Sequence, residues 1–281
     1  MAIQVTPVRR NLKFSLPKDQ VNRWNKGHLH ISHFFNTLSI FFPVGERFFI
    51  DSLRNYRDQI TDKTLKEQVS AFIGQEAFHS REHEEYNEAM REAGIPVDRM
   101  EQIVTEVLDR VRLLPHSLQL AATIALEHLT ALMGHALLEN IDALGDAEPH
   151  FKAVWEWHAL EETEHKAVAY DAFNQVVGTG AKAYAQRLFA FTLANIIFWS
   201  LFYPFYYQVV KSTGGHRDIK GWLESFKFFF VSPGPLTKII PEWLSFLKPG
   251  FHPWQHDNRH LLKELETFAE KVEALHLKAT A

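Results

Sequence analysis

The stretch IGQEAFHSREHEEYNEAM, residues 73–90, and its counterpart WHALEETEHKAV, residues 157–168, decide how this chain folds. Each carries Glu-x-x-His: Glu76 with His79, and Glu162 with His165. Positions three apart share a face of an α-helix, so each pair aims a carboxylate and an imidazole the same way. One pair alone says little. About one is expected from the numbers of His and Glu, and a third, Glu273-Ala-Leu-His276, reads as a chance match. The order says more. Glu46 precedes Glu76 by 30 residues and Glu127 precedes Glu162 by 35, so the chain reads Glu, Glu-x-x-His, Glu, Glu-x-x-His. If each falls on its own long helix, four helices can close around two cations.

The surrounding pattern supplies those helices. Apolar residues recur at three- and four-residue spacing along most of the chain, and strand-type alternation is scarce. The spacing predicts a first helix over Ile31–Ile60, bent near Pro43, and a second from the Thr61-Asp62 cap to Gly94. A shorter helix covers Asp98–Leu114. A third long helix opens at Pro115 and ends near Gly145, and a fourth runs from Glu148-Pro149 to Gly178 or Gly180. The fold class is all-α: a four-helix bundle over 31–180, preceded by a leader of residues 1–30. It is followed by an aromatic-rich helical extension over 181–281 that ends in an amphipathic helix from Asp257 to Lys278.

Composition narrows the chemistry. The 281 residues are 46% hydrophobic and 23% charged with a net charge of −4, which suits a folded domain and gives no basic stripe for nucleic acid. Cysteine is absent, which removes disulfides, thiolate metal sites and cysteine nucleophiles together. Histidine, at 16 residues, is left as the nitrogen ligand. Met1–Leu16 lacks a secretory pattern, and Arg9, Arg10 and Lys13 read as part of a loose leader. The expected location is therefore cytoplasmic, with membrane association open.

Glu46 lies in FFPVGERFFI and Glu127 in TIALEHLTALMG, both strongly apolar. A carboxylate facing such a core costs several kcal/mol unless paired or metal-bound. The plain alternative is a buried salt bridge, to Arg47 or Arg81. Four carboxylates would cancel the charge of two divalent cations, and imidazoles would add neutral nitrogens. The metal candidates are Glu46, Glu76, His79, Glu127, Glu162 and His165. His158 joins them as a third imidazole, four residues before Glu162 on the same stripe. Around them, Glu161 could hold the far nitrogen of His79. His83 shares a face with His79 but sits among Glu82, Glu84 and Glu85, which mark a solvated turn. His135 and Asp171 are less well placed.

These residues resemble the ferritin-like di-iron carboxylate family over about 40–170. The small ribonucleotide reductase subunit, bacterial multicomponent monooxygenases and soluble acyl desaturases share this order of ligands. The His158-x-x-x-Glu162-x-x-His165 stripe is similar to that of arylamine N-oxygenases, which add a third histidine there. The whole chain, including PGPLTKIIPEWLSFLKPGFHPW at 233–254, also looks like a bacterial family of predicted metal-dependent hydrolases. The first resemblance implies two iron ions, with manganese or zinc as alternatives, and an oxidase or oxygenase that uses O2, an electron donor and a hydrophobic small molecule. The second implies binuclear hydrolysis of an ester or lactone. A non-catalytic metal-binding bundle is the third reading.

Leu188–Val210 carries no charged residue over 23 positions and is rich in Phe, Tyr and Trp. It is long enough to cross a bilayer. Three readings stand: a helix buried in the core or a homodimer interface, an element resting on a membrane, or a true span. FKFFF at 226–230 favours the second.

Overall fold

The computed structural model describes residues 5–280 and is helical throughout, with no strand among the described residues. Four helices form the bundle: α1 (Leu29–Arg54), α2 (Lys63–Glu92), α4 (His116–Leu138) and α5 (Pro149–His165), with α3 (Val97–Arg112) between α2 and α4 lying against α1. The pairing of α2 with α5 is antiparallel. Gln75 meets Glu164, His79 meets Glu161 and His83 meets His158, so the two Glu-x-x-His stripes run past each other turn by turn. Local chemistry sets the helix starts. Asp62 accepts from Leu65 N at 2.7 Å, and Glu148 accepts from His150 N and Phe151 N ahead of Pro149. Gly134 lets α4 and α5 close up, since a Cβ there would sit 3.1 Å from Ala159 Cα.

α1 runs through Pro43 without stopping. Proline lacks the N–H that would bond the carbonyl four residues back, so Ser39 O needs another donor. Asn87 Nδ2 of α2 supplies it at 3.2 Å.

Several boundaries differ from those the pattern predicts. α4 stops at Leu138, with a short 3-10 turn over Ile141–Leu144. The fourth predicted helix breaks after His165 and resumes as α6 (Val168–Val176). No Gly or Pro announces that break. The intervening Lys166 turns toward the C-terminal segment, where Nζ donates to His256 O and Asn258 Oδ1, both at 2.6 Å, and lies 4.1 Å over Trp254.

The first four residues of the leader lie outside the described residues. The rest is strapped across α2 and α5 rather than loose. Gln68 and Gln75 donate to Val5 O and Val8 O, Arg9 lies over Gly74 and bonds Ser70, and Arg10 pairs with Glu164 at 2.9 Å.

The charge-free segment lies inside α7 (Ala181–Ser212), which packs one side on α4 and α1. Only 28% of its most apolar window is buried, so this chain alone does not bury it as a core helix. α8 (Ile219–Phe230) follows against α1. α9 (Pro235–Lys238) and α10 (Ile240–Ser245) cover α4, and α11 (Leu265–Thr280) packs on α5.

Candidate metal centre

All seven candidate ligands come together in the interior in two adjacent groups. Glu46 with His79 and His158 form one, and Glu76 with Glu127, Glu162 and His165 the other, each group offering ligand atoms within 4.8 Å of one another. Every one of these side chains is buried.

Hydrogen bonds behind the imidazoles determine which nitrogen faces inward. Gln75 Nε2 donates to Val8 O and Glu164 Oε2, so its oxygen faces His165 Nδ1 at 2.9 Å and that nitrogen carries the proton. His165 Nε2 is then a bare lone pair, 3.2 Å from Glu76, 3.5 Å from Glu127 and 3.6 Å from Glu162.

The same reasoning applies to His158 through a longer chain. Asn87 Nδ2 donates to Ser39 O and Glu101, so Asn87 Oδ1 must accept from Ser39 Oγ at 2.8 Å. Ser39 Oγ has given its proton and accepts from His83 Nδ1 at 2.9 Å. His83 Nε2 therefore accepts from His158 Nδ1 at 2.7 Å, which leaves His158 Nε2 unprotonated, 3.1 Å from Glu162 and 3.7 Å from Glu46. For His79, Nε2 lies 3.1 Å from Glu161, which Arg10 reaches from the other side. With Glu161 ionised, the ring donates to it and turns a bare Nδ1 toward Glu76 at 3.7 Å. Aromatic rings fix the imidazole planes: Phe72 on His165, Trp157 on His79 and Phe42 on His158.

His158 and His165 thus turn lone pairs toward the four carboxylates, as does His79 when Glu161 is ionised, and none of these nitrogens then has a proton to donate. Both oxygens of Glu46, Glu76 and Glu127 lack a partner within the protein, as do His79 Nδ1 and His165 Nε2. Buried polar atoms are otherwise nearly always satisfied. The set fits two divalent cations, whose charge would balance the four carboxylates. Without cations the strain shows in the acidities. Burial, reinforced by neighbouring carboxylates, pushes Glu46, Glu76 and Glu127 well above the usual carboxylate range, and burial pushes the His79 and His83 imidazoles well below theirs. Glu161 is pushed up to about 8 by burial, with Arg10 opposing.

Salt bridges do not account for these carboxylates. Arg47 pairs with Glu84 and Arg81 with Glu82, so neither neutralises Glu46. His83 is fully buried, contrary to the solvated turn that its acidic neighbours suggest, because only Glu84 and Glu85 of that turn face out. Asp171 pairs with His252, His135 faces His256 and His276 meets Ser15, so none of the three joins the centre. The sequence reading missed Gln75, Arg10, Ser39 and Asn87. Thr130 belongs with them, since its Oγ1 donates to Glu162 at 2.5 Å. These are ordinary polar residues, recognisable only once their partners in space are known.

An apolar cavity of about 120 Å³ lies between α1, α3, α4 and α7 and reaches the centre at Glu46 and Thr130. Phe41, Leu126, Leu129, Leu193 and Phe198 are among its walls. Its size is close to that of engineered cavities that take up a benzene ring.

Fold and site together define an all-helical protein with a buried carboxylate–imidazole centre beside an apolar cavity. The chain belongs to the family described as predicted metal-dependent hydrolase, whose model matches residues 8–257. No curated protein and no solved structure matches the chain.

Proposed function

We propose that this protein is a binuclear metal-dependent hydrolase that cleaves an ester or lactone of a hydrophobic small molecule. The family's description supports the hydrolytic class. The observation that carries the metal dependence is the inward nitrogens of His79, His158 and His165 gathered on Glu46, Glu76 and Glu127, whose buried oxygens have no hydrogen-bond partner. Glu46, His79 and His158 would hold one cation and Glu76, Glu127, Glu162 and His165 the other. Such a pair supplies Lewis-acid polarisation of a carbonyl and a more acidic water.

The protein's own part is positional. The bundle over 31–180 provides the ligands, and α7 of the extension closes the cavity that receives the apolar part. Thr130 and the buried hydrogen bonds of Gln75, Glu161 and His83 hold the carboxylate and imidazole orientations. The apolar walls exclude bulk water from Glu46.

One observation favours a second reading. The cavity walls offer almost no polar group to bind an ester's carbonyl or to protonate its leaving group. A di-iron oxidase or oxygenase of the ferritin-like type, using O2 and an electron donor on a hydrophobic molecule, would need none. Elemental analysis of the purified protein, followed by two assays, separates them. Ester or lactone cleavage by the zinc or manganese form, without change on exposure of the Fe(II) form to O2, supports the hydrolase. A transient visible absorbance on mixing the Fe(II) form with O2, without ester cleavage, overturns it in favour of the oxidative enzyme. Absence of bound metal overturns both.

A further inference from the structure

The exposed face of α7 and α8 has three properties in common with surfaces that rest on lipid. The first is a continuous apolar stripe. Phe189, Leu193, Ile196, Tyr203 and Tyr207 are all exposed and follow steps of three, four or seven residues, covering about 27 Å of α7 at 1.5 Å per residue. α8 extends it sideways with Ile219, Leu223 and Phe226, and Tyr207 stacks on Trp222 where the two helices meet. The second is the aromatic content: Trp199 stacks on Tyr203 along the same stripe. Tyr and Trp favour the boundary between hydrocarbon and water.

The third property is charge. Residues 181–256 carry eight Lys and Arg against three Asp and Glu, a net of +5, whereas the whole chain is at −4. Lys211, Arg217, Lys220 and Lys227 are exposed on and between these two helices, against Asp218 and Glu224, the latter paired with Lys220 at 3.7 Å, which leaves the face at +2. A positive, apolar, aromatic face suits an anionic lipid surface. A second copy of the chain suits it less well, because two such faces would repel.

The cavity connects this face to the centre. Phe189, Leu193 and Leu114 are at once exposed and part of its lining, while Glu46 and Thr130 form its inner end. We propose that the α7–α8 face docks on anionic phospholipid, with the cavity mouth turned to the bilayer so that an apolar substrate enters from the lipid. The docking stands independently of the chemistry; the route of entry rests on the metal-centre reading above.

The test is sedimentation of the full chain with vesicles of equimolar phosphatidylglycerol and phosphatidylcholine. The wild-type protein is expected to pellet with them. Ile196→Glu combined with Phe226→Glu should partition roughly tenfold more weakly. Arg99→Glu on α3 changes the net charge by the same −2 as the double variant and should pellet like the wild type. Metal content, measured on every variant, reports on the centre separately: normal metal with lost pelleting locates the change at the face, and pelleting without metal supports docking while the metal-centre reading fails. A wild-type protein that stays in the supernatant, or a double variant that pellets equally, overturns the proposal. So does a dimer that the double variant dissociates while vesicles capture neither protein. For the cavity, calorimetry should show binding of methyl benzoate but not methyl acetate, weakened roughly tenfold by Ala194→Phe. Absence of benzoate binding overturns the route of entry.

Discussion

Glu127 keeps both carboxylate oxygens in the interior without a partner, a state that is tolerable only beside a cation or with a proton bound. Glu127→Ala should therefore lose metal at the group it shares with Glu76, Glu162 and His165, read by elemental analysis at limiting metal. Full occupancy in that variant would remove Glu127 from the centre. The imidazoles allow a sharper experiment, because each is oriented by a different chain of polar groups. Asn87→Ala removes the partner that makes Ser39 Oγ a donor away from His83, and so frees the His83–His158 tautomers to reverse. The expected result is roughly 10- to 100-fold weaker binding of one metal, the one facing Glu46, His79 and His158, with the other retained. Gln75→Leu should show the reverse pattern through His165. Equal loss of both metals in both variants would mean that the two groups act as a single unit.

At the scale of elements, the centre depends on how closely α4 and α5 approach. Gly134→Val would push side-chain atoms toward Ala159 Cα and O, already 3.1 and 3.2 Å from where a Cβ would stand. Overpacking of this kind costs about 1–3 kcal/mol, and here it also separates Thr130 from Glu162. Thermal unfolding should show the destabilisation, and metal content should fall with it. Normal stability would mean the helices can part without cost. The helices that carry the ligands were legible in the sequence, since Asp62, Glu148-Pro149 and the Glu-x-x-His spacing act over a few residues of chain. That these seven side chains face one interior was legible for the same reason: on a helix, spacing alone determines the face. The break after His165 was not legible, because its cause is a contact from Lys166 to residues 90 or more positions away. The N-terminal strap was hidden likewise. Arg10 has no local pattern that pairs it with Glu161 and Glu164. Exposure of α7 is decided by whether a neighbour covers it, and a hydrophobic run reads the same either way.

For the whole molecule, the centre makes stability depend on metal and pH together. In the metal-free protein, Glu46, Glu76, Glu127 and Glu161 have pKa values shifted upward, mainly by burial, Glu161 to about 8. A carboxyl whose folded value lies above its ordinary value contributes stability that is complete below about pH 4.5 and is lost as pH rises through the folded value. His79 and His83 are shifted downward by burial, so their contribution is present above about pH 6.5 and is lost only as pH falls below it. Between about pH 6.5 and 8 these imidazoles contribute no further change, and the carboxyl groups of the centre lower the stability of the metal-free protein as pH rises; Lys166, pushed down to about 7 by burial, acts in the opposite sense with or without metal and cancels in the comparison of the two forms. Metal reverses the carboxyl effect, because bound cations favour the ionised carboxylates and the bare imidazole nitrogens, and binding releases protons. The difference in Tm between metal-loaded and chelator-treated protein should therefore widen from pH 6.5 to pH 8. Differential scanning calorimetry of both forms across that range checks it. A constant difference would mean that the interior carboxylates are already ionised without metal, and that something other than cations balances them.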